Sequence, residues 1–274
     1  MATIRVEHLT YKYPYGKGSA LVDVSMDVGD GEFVLITGPS GCGKTTLALC
    51  MSGIIPHALR GGSLEGRVLI DGVDTARMRL SEIARKVGVV LQDPESQIFG
   101  MTVEEDVAFG MENMCFPREA MVKRVNELLA FSELEGFRRK RPSSLSGGQK
   151  QRLAIISVLA IEPSTIILDE PTANLDPRGA RMVLETLLKM HESGKSIVLI
   201  ERKASPIMPF VDKVIALNEG HVITDCSPKE LFRNRRLVNR LRINVPQTVQ
   251  VAYRLEDLGL ALNEIPLTVD ELCA

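Results

Sequence analysis

The stretch Gly38-Pro39-Ser40-Gly41-Cys42-Gly43-Lys44-Thr45 limits the fold more than any other part of the chain. It fits the spacing GxxxxGK[ST], and it stands between an almost wholly apolar run, Phe33-Val34-Leu35-Ile36, and a helix opening over Thr45 to Ser52. Glycines here let consecutive backbone N–H groups turn inward and approach phosphate oxygens, and the positive N-terminal end of the helix adds to the attraction. The run before the loop shows no polar alternation, which fits a central strand covered on both faces. Lys44 is expected to bridge the β- and γ-phosphates of a nucleotide, taken as ATP, and Thr45 to ligate Mg²⁺.

The rest of the pattern is consistent with such a strand. Strand-like runs occur at Ile4–Leu9, Val22–Val28, Glu32–Thr37, Arg67–Ile70, Val87–Leu91, Thr165–Leu168, Ser196–Ile200 and Lys213–Leu217. Residues from about 100 to 160 read as helical, including Arg118–Phe131. Alternating strands and helices predict an α/β fold with a parallel sheet and a helical insertion. From about Ser227 the pattern changes: Pro228 to Arg242 reads as one charged helix, and Val245-Pro246-Gln247 as a break. The 274 residues carry a net charge of −2, so there is no basic excess of the kind nucleic-acid binders show. The longest apolar run, Leu153 to Ile161, is too short for a bilayer and contains Ser157. The N-terminus alternates like a strand and lacks a signal peptide's apolar core. The expected place is the cytosol, at a membrane only if another protein holds the chain there. Cys42, Cys50, Cys115, Cys226 and Cys273 form no CxxC pair and read as reduced thiols. Cys42 lies near a helix N-terminus, where a thiol pKa tends to fall, although it also serves there simply to fill space.

A phosphate loop needs an acidic partner. Thr165-Ile166-Ile167-Leu168-Asp169-Glu170 is an apolar strand ending in two carboxylates. Asp169 is expected to hold Mg²⁺, and Glu170 to take the proton from the attacking water.

Leu145-Ser146-Gly147-Gly148-Gln149-Lys150-Gln151-Arg152 places two glycines after a serine at a helix opening, a second anion site with no strand before it. With this segment the chain resembles the ABC-type ATPases over roughly residues 3–225. The resemblance implies a P-loop NTPase (RecA-like) cassette with an antiparallel β subdomain, a helical signature subdomain over about 100–160 and a C-terminal extension over 226–274. It implies that Gly38 to Thr45, with Thr46, hold ATP, while Ser146, Gly147, Gly148 and Gln149 cap the ATP of a second subunit. Gln92 is placed like the family's Q-loop glutamine, which contacts Mg²⁺ or the attacking water. Ala173-Asn174-Leu175-Asp176 resembles the D-loop, with Asp176 reaching the opposite subunit. Tyr13 sits where the family has an aromatic residue stacking on adenine, or else it packs within its strand. Arg202 stands where the family has a switch histidine. Arg only donates and stays charged. It either pairs with Glu170 and slows hydrolysis, or supports the developing phosphate charge.

Gln92-Asp93-Pro94-Glu95-Ser96-Gln97-Ile98-Phe99, the stretch Ser52–His57 and the tail segments Val245–Gln247 and Leu267–Leu272 resemble the energy-coupling factor importers. That resemblance implies a peripheral subunit on the cytoplasmic face of the cell membrane. Its partners would be a second ATPase, identical or not, a transmembrane coupling protein and a substrate-capturing membrane protein for a vitamin or metal ion. Gln97 and Phe99 are then candidate contacts to the coupling protein, and the run Arg138–Arg141 reads as a solvated face or a contact to headgroups. Another ABC importer, or a soluble ABC ATPase complex, is the alternative.

Overall fold

The computed structural model describes residues 2–173, 175–260 and 264–273, the side chains from residue 4 onward. Two sheets organise the chain. The first is antiparallel, in the order β2-β1-β4-β5, from β1 (Ala2–Lys12), β2 (Leu21–Gly29), β4 (Ser63–Ile70) and β5 (Val73–Asp74). The second runs β10-β9-β3-β8-β7-β6, from β3 (Phe33–Thr37), β6 (Val87–Val90), β7 (Thr165–Asp169), β8 (Ser196–Ile200), β9 (Lys213–Asn218) and β10 (His221–Cys226). All its neighbouring pairs are parallel except β10 against β9.

Every residue of β3, β7 and β8 is buried. Side chains alternate across a strand, so one apolar run serves two cores. Phe33 and Leu35, with Ile166, Leu168, Ile197 and Leu199, face one core. Val34 and Ile36, with Ile167, Val198 and Ile200, face the other. The first core continues under α4 (Val103–Asn113), α5 (Arg118–Phe131), α6 (Gly147–Leu159) and α7 (Pro177–Glu192). The second is closed by α1 (Lys44–Met51), the single turn α2 (Ile54–His57), α3 (Leu80–Ala84) and the antiparallel sheet.

The C-terminal residues form α8 (Pro228–Arg233), α9 (Arg235–Leu241), α10 (Gln247–Asp257) and α11 (Val269–Cys273). Leu231, Phe232, Val238, Leu241, Val249 and Ile265 lie in the first core, continuous with Ile166 and Leu199. The expected single helix from Pro228 to Arg242 is therefore two. Asn234 leaves helical geometry (φ −92°, ψ 73°), and its side-chain oxygen accepts from Leu237 N–H at 3.1 Å, capping α9. The sequence pattern also misses β10. That strand is an edge, with alternating exposed and half-buried residues, reached from β9 by a tight turn in which Glu219 and Gly220 both have positive φ. Among the described residues, no helix is long and apolar enough to cross a membrane.

Candidate functional site

The ends of four parallel strands meet at one edge of the second sheet. The loop 38–43 leaves β3, Gln92 follows β6, Asp169 and Glu170 end β7, and Arg202 follows β8. Ligands of open α/β sheets gather at such carboxyl ends. Tyr13, Ser40, Gly41, Gly43, Lys44, Thr45, Thr46, Gln92, Glu170 and Arg202 line a single cleft of about 420 Å³ there.

The loop tolerates no side chain at two of its glycines. Gly38 (φ 142°) lies so near β9 that a Cβ would meet Leu217 O at 2.1 Å, and at Gly43 (φ 107°) it would meet Ala20 O at 2.4 Å. Lys44 is 5% exposed. Its ammonium donates to Gly38 O at 3.0 Å and Pro39 O at 2.9 Å, and it forms no ion pair among the described residues. It also donates to Cys42 Sγ at 3.9 Å. A buried cation held by neutral acceptors leaves positive charge facing the cleft, which an anion would balance. Beside it, Thr45 Oγ1 donates to Asp169 Oδ2 at 2.6 Å. A hydroxyl and a carboxylate this close could share a small divalent cation, which takes few protein ligands when phosphates supply others. Burial pushes the Asp169 carboxyl above its usual range; the Thr45 hydrogen bond works against this, and the nearby Glu170 charge adds to the rise.

Tyr13 is part-exposed at the cleft mouth, its hydroxyl 3.2 Å from Thr46 Oγ1, with its ring edge-on to Tyr11 at 4.9 Å. Glu170 has φ 45°, a strained setting for a non-glycine residue, and its N–H donates to Ile200 O at 2.9 Å. Its carboxylate lies 3.5 Å from Gln92 Nε2 and 3.5 Å from Arg202 Nε. Arg202 also donates to Ser40 Oγ at 3.0 Å, so the guanidinium spans the phosphate loop and the acid at the end of β7.

Ser146, Gly147, Gly148, Gln149 and Asp176 do not join this cleft. They line a separate one of about 580 Å³ with Arg152, Leu175 and Gly179. Ser146 and Gln149 cap α6 reciprocally: Ser146 N–H donates to Gln149 Oε1 at 2.9 Å and Gln149 N–H to Ser146 Oγ at 3.4 Å. Asp176 caps α7, accepting from Gly179 N–H at 2.6 Å. Asn174, between them in sequence, lies outside the described residues.

Burial pushes the Cys42 thiol up despite the nearby Lys44 charge, and the residue is 4% exposed, in keeping with the expected space-filling role. One expectation changes. Gln97 is not a free surface contact. Its Oε1 accepts from Leu91 N–H at 2.7 Å and its Nε2 donates to Val89 O at 3.1 Å, closing the loop after β6 onto its own strand. Phe99, by contrast, is 68% exposed and stacks near the exposed Phe109 at 5.8 Å. Within the basic run, Arg139, Lys140 and Arg141 are exposed, in keeping with a solvated face, while Arg138 pairs with Glu104 at 2.9 Å and Lys140 lies over the Phe137 ring at 4.7 Å.

Three buried residues of this region escape a sequence reading. Glu201, 5% exposed, accepts from the Thr172 hydroxyl and from Arg202 N–H at 3.0 Å. Arg152, 8% exposed, donates to Ser132 O at 2.8 Å. Asp106, 3% exposed, accepts from Phe99 N–H at 2.8 Å, Gly100 N–H at 2.9 Å and Ser157 Oγ at 2.7 Å. The first was signalled only by an acid ending an apolar strand; Asp106 in α4 and Arg152 in α6 carry no local signal of their burial.

The chain is similar to known proteins in sequence and in fold. The ABC transporter family model matches residues 21–173. A putative ABC transporter ATP-binding protein of Pyrococcus abyssi is 38% identical over 100% of this chain and 98% of its own length. The energy-coupling factor transporter ATP-binding protein EcfA of Methanothermobacter thermautotrophicus is 38% identical over 98% of this chain and 84% of its own. Against a putative ABC transporter ATP-binding protein of Methanosarcina acetivorans (42% identical), the chain spans only 41% of the relative's length. Among solved structures, CbiO1 of Clostridium perfringens, part of the ABC transporter complex CbiONQ, superposes with a TM-score of 0.76 at 34% identity, covering 94% of this chain and 97% of that one. A dimeric ATP-binding cassette holding ADP and Pi superposes with a TM-score of 0.71 at 31% identity, covering 82% of this chain and 99% of that one. With the phosphate loop, the acids ending β7 and a separate signature cleft all in place, the chain belongs to the ABC transporter ATP-binding family and is an ATP-hydrolysing cassette of that fold.

Proposed function

We propose that this chain is the ATP-binding subunit of an energy-coupling factor importer, working as one half of a head-to-tail cassette pair at the cytoplasmic face of a membrane. One observation carries the pairing: the phosphate loop and the signature segment line different clefts of the same chain. Each is half a site, and a second cassette supplies the missing half. The likeness to EcfA and to CbiO1 supports the importer branch. The exposed Phe99, beside Phe109, supports a membrane coupling protein docking next to the loop that carries Gln92. Substrate capture, of a vitamin or metal ion, then belongs to another membrane protein, and nucleic acid has no part in the function.

Bound ATP with Mg²⁺ supplies the phosphoanhydride whose hydrolysis drives the cycle. Lys44 and the loop N–H groups hold the phosphate charge, Thr45 and Asp169 hold the cation, and Tyr13 offers its ring to the base. Glu170 accepts the proton of a water positioned with Gln92. Ser146 and the N-terminus of α6 present donors to the nucleotide of the second cassette.

Arg202 competes for the Glu170 carboxylate in this arrangement. The side chain is 54% exposed, so the pairing contributes no more than about 1 kcal/mol. Single-turnover hydrolysis by Arg202→His is therefore expected to rise about threefold to fivefold, the rate equivalent of such a pairing. An unchanged or slower rate would instead assign Arg202 to stabilising the developing phosphate charge.

The transport reading is tested by affinity purification of the full chain from solubilised membranes, with mass spectrometry of what accompanies it. An integral coupling protein and a second ATPase are expected. Recovery of a purely soluble complex would overturn the reading in favour of a non-transport ABC ATPase.

A further inference from the structure

The signature cleft has a second wall. Residues 146–149 at the start of α6 form one side, and Asp176, Arg178 and Gly179 at the start of α7 form the other. The two helix ends meet glycine on glycine. A Cβ added at Gly148 would lie 3.5 Å from Gly179 Cα, and one added at Gly179 would press on Asp176 Oδ1 at 2.9 Å. Both helices therefore open on the same space, each with unpaired N–H groups and the positive end of its dipole. Neither carries an acid in its first turn. Among the charged side chains of the cleft, Arg152 pairs with Glu133 at 3.6 Å, and the Asp176 carboxylate caps α7 by accepting from Gly179 N–H at 2.6 Å. Arg178 is exposed and has no hydrogen bond or ion pair among the described residues. It is the second residue of α7, a position where the helix dipole disfavours a cation. A cation set against the dipole, in a cleft that already gathers N–H donors, is satisfied by an anion from outside the chain.

We propose that Arg178 is a binding residue of the composite ATP site, its guanidinium donating to the γ-phosphate of the nucleotide held by the second cassette. A guanidinium suits this role because it stays charged and offers paired N–H donors that match phosphate oxygens. The cation comes from the cassette that does not hold the nucleotide, so it acts only when two cassettes meet. Pairing then reads the third phosphate, which ATP carries and ADP lacks. The inference rests on the head-to-tail pairing proposed above. In sequence Arg178 is an ordinary helical arginine, and only the contact of Gly179 with Gly148 brings it beside the signature segment.

Sedimentation velocity tests the contact on the full chain carrying Glu170→Gln as the parent, so that ATP persists, alone and mixed with any ATPase that accompanies it on purification. ATP with Mg²⁺ is the probe, at concentrations that calorimetric titration shows to fill each variant's own cleft. Each Arg178 contact is expected to contribute about tenfold to pairing, in the range for a hydrogen bond to a charged group. Arg178→Ala should therefore weaken a symmetric pair about 100-fold and a mixed pair about tenfold. Arg178→Lys is expected to keep part of the pairing, and Arg178→Glu to abolish it. Added salt should weaken pairing less in Arg178→Ala than in the parent, because one charge contact fewer is screened. Without nucleotide, Arg178→Ala is expected to melt no lower than the parent, since a cation leaves the positive end of a dipole. Pairing within twofold of the parent in Arg178→Ala overturns the inference alone. A loss of pairing that comes with a lower melting temperature and an unaltered salt dependence assigns Arg178 a structural role and overturns it too. Absence of ATP-driven pairing in the parent overturns the head-to-tail reading and the inference with it, so the two failures are distinct results.

Discussion

Replacing Lys44 with alanine is expected to weaken ATP binding about 100-fold, or about 3 kcal/mol, in the range for truncating one partner of a buried, hydrogen-bonded charge pair. The ammonium is almost wholly buried, and its partners are the neutral Gly38 and Pro39 carbonyls and the Cys42 sulfur. Among the described residues no carboxylate lies in ion-pair range of it, Asp169 acting only from further off, and phosphate supplies the counter-charge. The same logic fixes the effect on stability. Removing a buried cation that has no carboxylate partner takes away a desolvation cost, so the nucleotide-free variant should melt no lower than wild type. Calorimetric titration and thermal melting together check both halves. Affinity within a few-fold of wild type would mean that the loop N–H groups alone hold the phosphates.

Replacing Glu170 with glutamine separates binding from chemistry. Hydrolysis is expected to fall about 10²- to 10³-fold, the contribution of a positioned general base, with ATP affinity little changed. Three acids stand at the ends of β7 and β8, and their surroundings differ. Asp169 is engaged by the Thr45 hydroxyl, and Glu201 by the Thr172 hydroxyl and Arg202 N–H. Only Glu170 of these three lines the ATP cleft, with Gln92 and Arg202 at 3.5 Å. Glutamine keeps the size and the amide–acid hydrogen-bonding geometry and removes only the ability to take a proton. Single-turnover rates and equilibrium binding on the same preparation provide the test. Near-wild-type turnover would move the base to another residue, Glu201 being the next acid along the sheet edge.

Legibility of the site varied with the range of the forces involved. β3 and β8 were plain in sequence because burial on both faces demands an unbroken apolar run. β10 was not, since an edge strand needs only weak alternation and a turn. The break at Asn234 was hidden within a charged stretch whose periodicity continues across it. Gln97 looked like a surface contact because its true partners are the backbone groups of Val89 and Leu91, and side-chain type says nothing about such bonds. At Cys42 two opposing effects met, since position near a helix N-terminus lowers a thiol pKa and burial raises it; tertiary packing made burial the larger, as a space-filling residue requires.

The sequence by itself determined the loop from Gly38 to Thr45, because its function depends on local backbone conformation and on residues that adjoin one another. It determined the signature segment for the same reason, since a cap on a helix N-terminus spans only a few residues. Tertiary structure decided which other residues share each cleft. The order β3-β8-β7-β6 brings Lys44, Arg202, Glu170 and Gln92 to one edge from four distant stretches of chain, and it leaves Ser146 to Gln149 facing elsewhere. That order follows from packing two cores on one sheet, a global balance of buried area that no local spacing records.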